Sequence, residues 1–440
     1  MTLKPRSSTS EGRRRRMAGA DGVWLQDSPA NLMVIQSVFT VDRLDLLTFL
    51  ELWNERVMQA GGGRRYPRFT QRVVTVGRRA YWQEDPEFDL RNHIFVPEEA
   101  AELDTKEKLQ DYIGRLASEP LPDDRPRWQV RLIPEFEDGA SAFLVRIHHC
   151  MGDGIGLVPI IFSLLDASPE GGGMVMPAVL DKGGKPPSKA LLGLRALAAG
   201  PFLLAQKFLW LADRNPLHGP ELGGTKRVAW TGPLDLTLVK EAKNRLGATV
   251  NDVLVACVAG GLRRYVEGRG GVLRRLRVSM PVNMRSRHEK LRMDNKFAAV
   301  LLTLPVAAGA REQIDATQRS MNRLKRSIEP VFTFLTVNLM LKALPQAVSR
   351  WLIDYLANKC SCVLTNVPGP QEPSYLAGRR LRAMLFWVPQ RAKIGVGISI
   401  LTLAGTVRIG VIADAALVSD PELLVQAFEE EIRSLPATAA

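Results

Sequence analysis

The segment 148–154, with the sequence HHCMGDG, constrains this chain more than any other part of it. It follows the β-branched run 143–147, which predicts a short strand. Adjacent residues at a strand end point to opposite faces, so at most one of the two imidazoles faces a given cavity. Gly152 and Gly154 allow a tight turn, and Asp153 brings a fixed charge close to the pair. One imidazole that titrates near neutral pH can take a proton from a hydroxyl and pass it to a leaving group.

Paired histidines at a strand end also occur as packed core residues or as two ligands of a metal ion. Metal sites in proteins need three or four ligands at suitable spacing. His93, His218 and His288 are isolated in the sequence, and the four cysteines show no Cys-x-x-Cys spacing. The sequence therefore predicts no metal site. So few cysteines also predict reduced, buried thiols and a reducing cytosol rather than a disulfide framework.

The chain is strongly basic, with a formal net charge of +13 at pH 7 over 440 residues. Such an excess favours a polyanionic partner, a membrane surface or an anionic substrate. The sequence contains no zinc finger, no RNP-like aromatic motif and no convincing recognition helix, so we do not expect nucleic acid as the partner.

The pattern of strands and helices predicts an α/β (α+β) chain with two domains. Residues 1–16 end in four arginines and have nothing to bury, which predicts a disordered basic tail. Residues 17–170 and 226–440 each hold a comparable set of mixed elements without a regular βαβ rhythm, which favours mixed sheets flanked by helices over a Rossmann sheet. Predicted helices are 44–60, 105–119, 155–167, 236–246, 251–264, 311–326, 331–357 and 421–435; predicted strands are 34–40, 72–76, 80–83, 129–134, 142–149, 276–281, 298–305, 362–366, 393–403 and 406–413.

Between the two predicted domains, residues 171–225 combine a Gly- and Pro-rich linker with the apolar stretch 191–213. The longest uncharged part of that stretch, 196–206, is too short to cross a bilayer and contains Pro201. Two interpretations stay open. One is a kinked helix packed on a domain, and the other is an amphipathic helix lying in a membrane surface with its cations at the headgroups.

Five segments in order resemble the wax ester synthase/diacylglycerol acyltransferase branch of the coenzyme A-dependent acyltransferases. The first is the histidine motif. The second is Pro126-Arg127-Trp128, where the branch has Pro-Leu-Trp, and the third is Asn251-Asp252. The fourth is residues 280–285, which resemble Pro-Val-x-x-Arg with Asn295 downstream. The fifth is residues 365–370, which match Asn-Val-Pro-Gly-Pro. Arg127 and Asp294 depart from the family pattern. The resemblance covers nearly the whole chain after residue 17.

This resemblance implies two chloramphenicol-acetyltransferase-like domains with the active site at their interface. It implies His149 as the general base, with His148, Asp153 and Gly154 completing the motif, and Asp153 paired with an arginine. Arg72 is the first candidate for that arginine and Arg285 the second. Asn251 and Asp252 are possible supporting residues, although their side chains can also cap a helix. Asn251 is also the candidate oxyanion donor.

The resemblance further implies a long-chain fatty acyl-CoA as co-substrate, no bound cofactor, and a fatty alcohol or a diacylglycerol as acceptor. Because these acceptors are insoluble, we expect a cytoplasmic protein that associates peripherally with a membrane or lipid droplet. The alternatives are a condensation-domain-like or other carrier-dependent acyltransferase, which shares the histidine motif, and a non-catalytic lipid-surface protein.

Overall fold

The computed structural model describes residues 14–63, 65–171, 189–219, 221–286 and 289–438. The strands are β1 Arg15–Arg16, β2 Val34–Asp42, β3 Gln71–Val76, β4 Arg79–Glu84, β5 Ile94–Phe95, β6 Trp128–Phe136, β7 Ala140–His148, β8 Leu165–Asp166, β9 Lys226–Trp230, β10 Leu234–Asp235, β11 Arg275–Asn283, β12 Phe297–Pro305, β13 Cys362–Pro368, β14 Tyr375–Leu376, β15 Arg379–Trp387, β16 Val396–Leu403 and β17 Thr406–Asp414. The α-helices are α1 Gly19–Gly22, α2 Leu46–Trp53, α3 Ala60–Gly63, α4 Lys106–Leu116, α5 Gly154–Leu164, α6 Lys189–Leu209, α7 Leu236–Arg245, α8 Val250–Glu267, α9 Ala310–Arg326, α10 Glu329–Ala343, α11 Gln346–Ala357, α12 Pro421–Arg433 and α13 Leu435–Thr438.

Two seven-stranded mixed sheets form the framework, as the α/β prediction requires. The first has the order β5-β6-β7-β2-β15-β14-β8, and the second has the order β10-β17-β16-β13-β11-β12 with β9 beside β17. Strand β7 is buried at all nine positions, because helices of the first half and residues of the second half cover both of its faces. This central strand carries the histidine motif at its carboxyl end.

The second half of the chain completes the first sheet. Strand β15 pairs antiparallel with β2, from Leu381 opposite Val41 to Trp387 opposite Gln36. The sequence patterns missed β15, and they assigned all of residues 226–440 to a separate domain. Strands β14 and β15, which lie within the predicted second domain, belong to the first sheet. A swapped strand of this kind holds the two halves together through backbone hydrogen bonds as well as side-chain packing.

The predicted disordered tail, residues 1–16, ends in residues that the structure places in a strand. Arg15 and Arg16 form β1, which pairs with β4 opposite Trp82 and Tyr81 in a small three-stranded sheet. Arg14 donates a 2.8 Å hydrogen bond to Gln83. Backbone pairing along a sheet edge therefore orders these arginines, despite their charge. Residues 1–13 lie outside the described part of the chain.

The single helix predicted over residues 331–357 is two helices. Helix α10 ends at Ala343, and Pro345 precedes α11, which starts at Gln346. Proline has no amide hydrogen to continue the helical ladder and disfavours the helical conformation of the residue before it. The apolar stretch before the second half does contain a helix, α6. Among the described helices none alone is long and apolar enough to cross a membrane; α7 and α8 pass that test only together, with a 107° bend between them.

A shared hydrophobic core joins the two sheets. Trp230 of β9 and Trp387 of β15 meet with ring centroids 5.7 Å apart, and α4 packs against them. The buried Lys226 donates hydrogen bonds to Asn31 at 2.8 Å and to Asp414 at 3.2 Å. These contacts fix the relative position of the two halves, and therefore the geometry of the site between them.

Candidate functional site

The chain changes direction between the two histidines. Strand β7 ends at His148, and a single 3-10 turn follows over His149–Met151. The His148 position still pairs with Val34 across the sheet, whereas the amide of His149 donates to the carbonyl of Met33 at 2.7 Å. The two imidazoles consequently lie in different surroundings.

His148 is held by a hydrogen bond at each ring nitrogen. The amide of Cys150 donates to Nδ1 at 3.2 Å, so Nε2 carries the proton and donates to Asp27 at 3.1 Å. Burial would raise the pKa of Asp27, but the hydrogen bonds from His148 and from the Met33 amide hold it below its usual value. Both nitrogens of His148 are therefore occupied within the protein.

His149 is buried in an aromatic environment. Its ring stacks on Trp24, with centroids 3.8 Å apart and planes inclined by 17°, and the ring of Phe297 lies 5.9 Å away. Only 5% of the residue is exposed. Burial disfavours the charged form and lowers the pKa of His149 to about 4, although the charge of Asp153 opposes this shift. At neutral pH the imidazole is uncharged and able to accept a proton.

A buried polar network supports the backbone of His149. Asn295 donates from Nδ2 to the carbonyl of His149 at 2.8 Å and to Asp21 at 3.0 Å. Arg68 binds the other oxygen of Asp21 at 2.6 Å and donates to the carbonyl of Met151 at 2.9 Å. The 3-10 turn that carries His149 is thus held from both halves of the chain.

Asp153 is a structural anchor. It caps α5 by accepting from the amide of Gly156 at 2.7 Å. Arg285 donates from one guanidinium nitrogen to both of its carboxylate oxygens at 2.9 Å, and the amide of Lys296 adds a bond at 2.8 Å. Arg285 also binds Asp294 at 2.6 Å. The expectation that Asp153 pairs with an arginine agrees with this geometry.

The first candidate for that arginine was wrong. Arg72 lies in β3 of the small sheet, and the partner of Asp153 is the second candidate, Arg285. The buried arginine of the segment 67–72 is Arg68, which binds Asp21 instead. The sequence correctly predicted an arginine partner for Asp153, but it does not show which arginine is buried beside it.

Gly154 of the motif and the nearby Gly156 have different surroundings. Gly154 is the first residue of α5, and a Cβ atom there would meet nothing within 4 Å. A Cβ at Gly156 would lie 2.8 Å from the carbonyl oxygen of Arg292 and 3.0 Å from that of Asp294. The close approach of the loop 292–294 therefore explains a glycine at 156, whereas the structure gives no steric reason for one at 154.

Asn251 and Asp252 begin helix α8. Asp252 and Thr249 form a reciprocal capping box, in which each side chain accepts from the other residue's amide at 3.0 and 3.2 Å. Asn251 accepts from Asn366 at 3.0 Å, which joins α8 to the end of β13. The capping role considered for this pair thus applies to Asp252, and Asn251 links two of the segments identified in the sequence.

The site lies where the two halves meet. His149 and Asp153 come from the first half, and Arg285, Asn295 and Phe297 come from the second. Sequence reasoning missed Trp24, Asp21 and Arg68. Each of these residues acts through partners that are far away in the chain, so no local motif identifies it. The one sequence signal was a pattern typical of buried residues at the start of the folded region.

Comparison with known proteins identifies the family. The family model for the wax ester synthase/diacylglycerol acyltransferase catalytic domain matches residues 53–206, and the model for the corresponding C-terminal domain matches residues 293–436. The chain belongs to the wax ester synthase/diacylglycerol acyltransferase family. The histidine motif and Asn295 lie within the matched regions.

Individual relatives agree with this assignment. A probable diacylglycerol O-acyltransferase of Mycobacterium tuberculosis is 26% identical over 382 residues, covering 81% of each chain. Wax ester synthase/diacylglycerol acyltransferase 4 of Arabidopsis thaliana is 22% identical and covers 92% of this chain and 87% of its own. The solved wax ester synthase/diacylglycerol acyltransferase of Marinobacter aquaeolei VT8 superposes with a TM-score of 0.69 at 19% identity, covering 96% of this chain and 99% of its own.

A second solved structure shares the fold. The first condensation domain of the CDA synthetase superposes with a TM-score of 0.61 at 18% identity, covering 98% of this chain and 97% of its own. At this level of identity the likeness concerns the arrangement of the two halves alone. It agrees with the expected pair of acyltransferase-like domains.

Proposed function

We propose that this chain transfers a long-chain fatty acyl group from acyl-CoA to the hydroxyl of a fatty alcohol or a diacylglycerol. The products are a wax ester or a triacylglycerol and free CoA. The family assignment supports O-acyl transfer, and the names of the relatives support these two acceptor classes. The observation that carries the proposal is a neutral, buried imidazole at the interface of the two halves, supported by Asn295.

In this proposal His149 is the general base. It removes the proton of the acceptor hydroxyl while the oxygen attacks the thioester carbonyl. The tetrahedral intermediate then collapses, the carbon–sulfur bond breaks, and the imidazolium returns the proton to the CoA thiolate. The reaction is balanced without a covalent enzyme intermediate and without a bound cofactor.

The oxyanion of the intermediate needs a hydrogen-bond donor. We propose Asn251 for this role, because its Oδ1 accepts from Asn366 and its Nδ2 is thereby left to donate. Asp153, Arg285, Asp252 and Asn366 are positioning residues in this scheme, since each acts through another group.

We also propose that the protein is cytoplasmic and associates peripherally with a membrane or a lipid droplet. The acceptors and products of the reaction are insoluble, so the site must receive them from a lipid surface. The overall charge of +13 supports attraction to anionic headgroups, where each basic residue contributes about 1 kcal/mol.

The test is release of free CoA from palmitoyl-CoA, with hexadecanol and a diacylglycerol supplied in parallel. His149→Ala should lower turnover by a factor of about 10² to 10⁴, because the general base is lost. His148→Ala should keep measurable activity, since both of its ring nitrogens are bonded within the protein. Equal losses in two folded variants would refute the role of His149, and no CoA release with either acceptor would refute the function.

A further inference from the structure

Three neighbouring helices form an exposed apolar surface, which we call the helical face: α10, α11 and the C-terminal end of α6. Soluble proteins rarely leave large contiguous apolar patches open to water, and such patches mark interaction sites. Of the fourteen large hydrophobic side chains exposed in the described residues, nine lie on this face: Phe202, Phe208, Leu209, Leu211, Leu335, Leu339, Leu344, Val348 and Trp351.

Helix α10 is the clearest case. It is apolar around its whole circumference, yet none of its fifteen residues is fully buried. A helix that is hydrophobic all round normally lies inside a core or a membrane. Aromatic contacts connect its helices, since Tyr355 stacks on both Phe208 and Trp351 with centroids 5.7 Å apart.

The charges around the helical face favour an anionic surface as its partner. Arg214, Lys342 and Arg350 are exposed beside the apolar residues. The two acidic side chains of α10 and α11 are neutralised, since Glu329 pairs with Lys207 at 2.9 Å and Asp354 pairs with Arg391 at 2.7 Å. An apolar patch rimmed by cations matches the interfacial region of a lipid layer with anionic headgroups.

The helical face is connected to the segment that carries Trp24, residues 19–26. At one end of this segment, a Cβ at Gly19 would lie 3.4 Å from the Cβ of Leu341, so α1 packs directly on α10. At the other end, Arg391 donates to Gln26 at 2.7 Å while it binds Asp354 of α11. Both ends of the segment therefore contact the two exposed helices. Between them, Asp21 is bonded to Arg68 and Asn295, and these bonds also hold the segment in the stacked arrangement.

Between these ends, Trp24 covers the imidazole of His149 and leaves the residue 5% exposed. A substrate hydroxyl must reach this imidazole directly, at hydrogen-bond distance. With 5% of the residue exposed, His149 is closed to a substrate in this arrangement. Movement of Trp24 would uncover one face of the ring.

We propose that the helical face binds a lipid surface with anionic headgroups, and that binding shifts residues 19–26 so that Trp24 leaves His149. Apolar insertion of α10 and α11 moves the two contacts that hold the segment. The site then opens where its insoluble acceptor is available and stays closed in water. This inference rests on the proposed function, whose site it regulates.

Binding is tested by flotation with vesicles of phosphatidylcholine and phosphatidylglycerol. The variant Leu339→Glu/Trp351→Glu should bind about a hundredfold more weakly, because two large apolar side chains no longer enter the lipid. The matched control is Leu47→Glu, since Leu47 is 68% exposed on α2, outside the face. Equal binding of both variants and the wild type would overturn the proposal. If the wild type proves dimeric and the double variant becomes monomeric but still binds vesicles, the face is a contact between copies of the chain, which also overturns the proposal.

Opening is tested by diethylpyrocarbonate labelling of the substrate-free protein, read by mass spectrometry. Vesicles should increase the labelling rate of His149 about tenfold or more, as expected when a minor open state becomes the major one. His93 and His148 are each 1% exposed and should stay unlabelled, which excludes general unfolding. In the Trp24→Ala variant, His149 should be labelled rapidly with or without vesicles. In the Leu339→Glu/Trp351→Glu variant, His149 should be labelled slowly under both conditions.

The outcomes separate this inference from the proposed function. If His149 of the wild-type protein is labelled no faster on vesicles than in free solution, the inference is overturned, whatever the enzymatic activity. Protein that floats and exposes His149, but releases no CoA from palmitoyl-CoA with either acceptor, supports the inference and refutes the proposed function. If decanoyl-CoA and hexanol give equal CoA release with and without vesicles, the proposed movement of Trp24 is refuted, but lipid binding by the helical face is not.

Discussion

The burial of His149 sets how the site responds to pH. Its pKa lies near 4, so the imidazole is already neutral at mildly acidic pH. We therefore expect kcat/KM to be flat between about pH 6 and 8 and to fall only as the pH approaches 4, where the free base is lost. A pH–rate profile with a soluble acyl-CoA measures this. A midpoint between about pH 6 and 7, the range of an unperturbed histidine, would contradict the burial of the ring.

The same shift makes stability depend on pH. The pKa of a histidine in the unfolded chain is about 6.5, so below that value the unfolded state binds a proton that the folded state excludes. The stability contributed by the neutral ring is present above about pH 6.5 and is lost as the pH falls towards 4, up to about 3 kcal/mol. His149→Gln should show a smaller loss of Tm between about pH 7 and 5 than the wild type. Parallel losses in both proteins would place the effect elsewhere.

The ion pair below the site offers a matched comparison of two arginines. Arg285→Ala should cost about 3–5 kcal/mol of unfolding free energy, because it leaves the buried carboxylate of Asp153 without its cation. Arg72→Ala should change stability by less than about 0.5 kcal/mol, since Arg72 makes no ion pair with any carboxylate in the described residues. Denaturant unfolding of both variants provides the measurement. Similar losses would contradict the assignment.

At the residue scale, the sequence could name the histidines and predict that Asp153 pairs with an arginine, because a local motif contains that information. It could not choose between Arg72 and Arg285. Arg285 is 132 residues from Asp153 in the chain, and only the packing of the two halves brings them together. The same reason hid Trp24 and Asp21, whose partners His149 and Asn295 are also remote in the chain.

At the scale of elements, the approach of the loop 292–294 to helix α5 is tight at a single position. Gly156→Ala should cost about 1–3 kcal/mol and reduce activity, because backbone oxygens at 2.8 and 3.0 Å cannot yield without moving the loop that binds Arg285. Gly154→Ala should be tolerated, since its added methyl group meets nothing within 4 Å. Thermal unfolding and CoA release check both variants; a more damaging change at 154 would contradict this account.

Most regular elements were predictable, because amphipathic spacing and caps are local. Thr105 caps α4 as the sequence indicated. Strand β15 was missed because its arginine-rich start does not resemble a buried strand, and only its place between β2 and β14 makes it one. The break between α10 and α11 follows from Pro345. It was missed because the apolar pattern continues across this proline.

At the scale of the whole molecule, the crossing of β15 makes the halves dependent on each other. A fragment of residues 14–225 would lack the strand that pairs with β2 and would expose a long apolar edge. We expect this fragment to aggregate or to lack a cooperative unfolding transition, whereas the full chain unfolds as one unit. Light scattering and calorimetry of both proteins test this. A soluble fragment with a sharp transition would show that the first half folds alone.

The late position of β15 also has a consequence for synthesis of the chain on the ribosome. Strands β2 and β7 emerge early, but β15 begins at residue 379. At about 5–20 residues per second, β2 waits roughly ten seconds to a minute for its neighbour after β7 is made. During that interval its free edge can pair with another nascent chain. We therefore expect rapid translation of the second half, or a chaperone that covers β2, to raise the yield of folded protein in the cell.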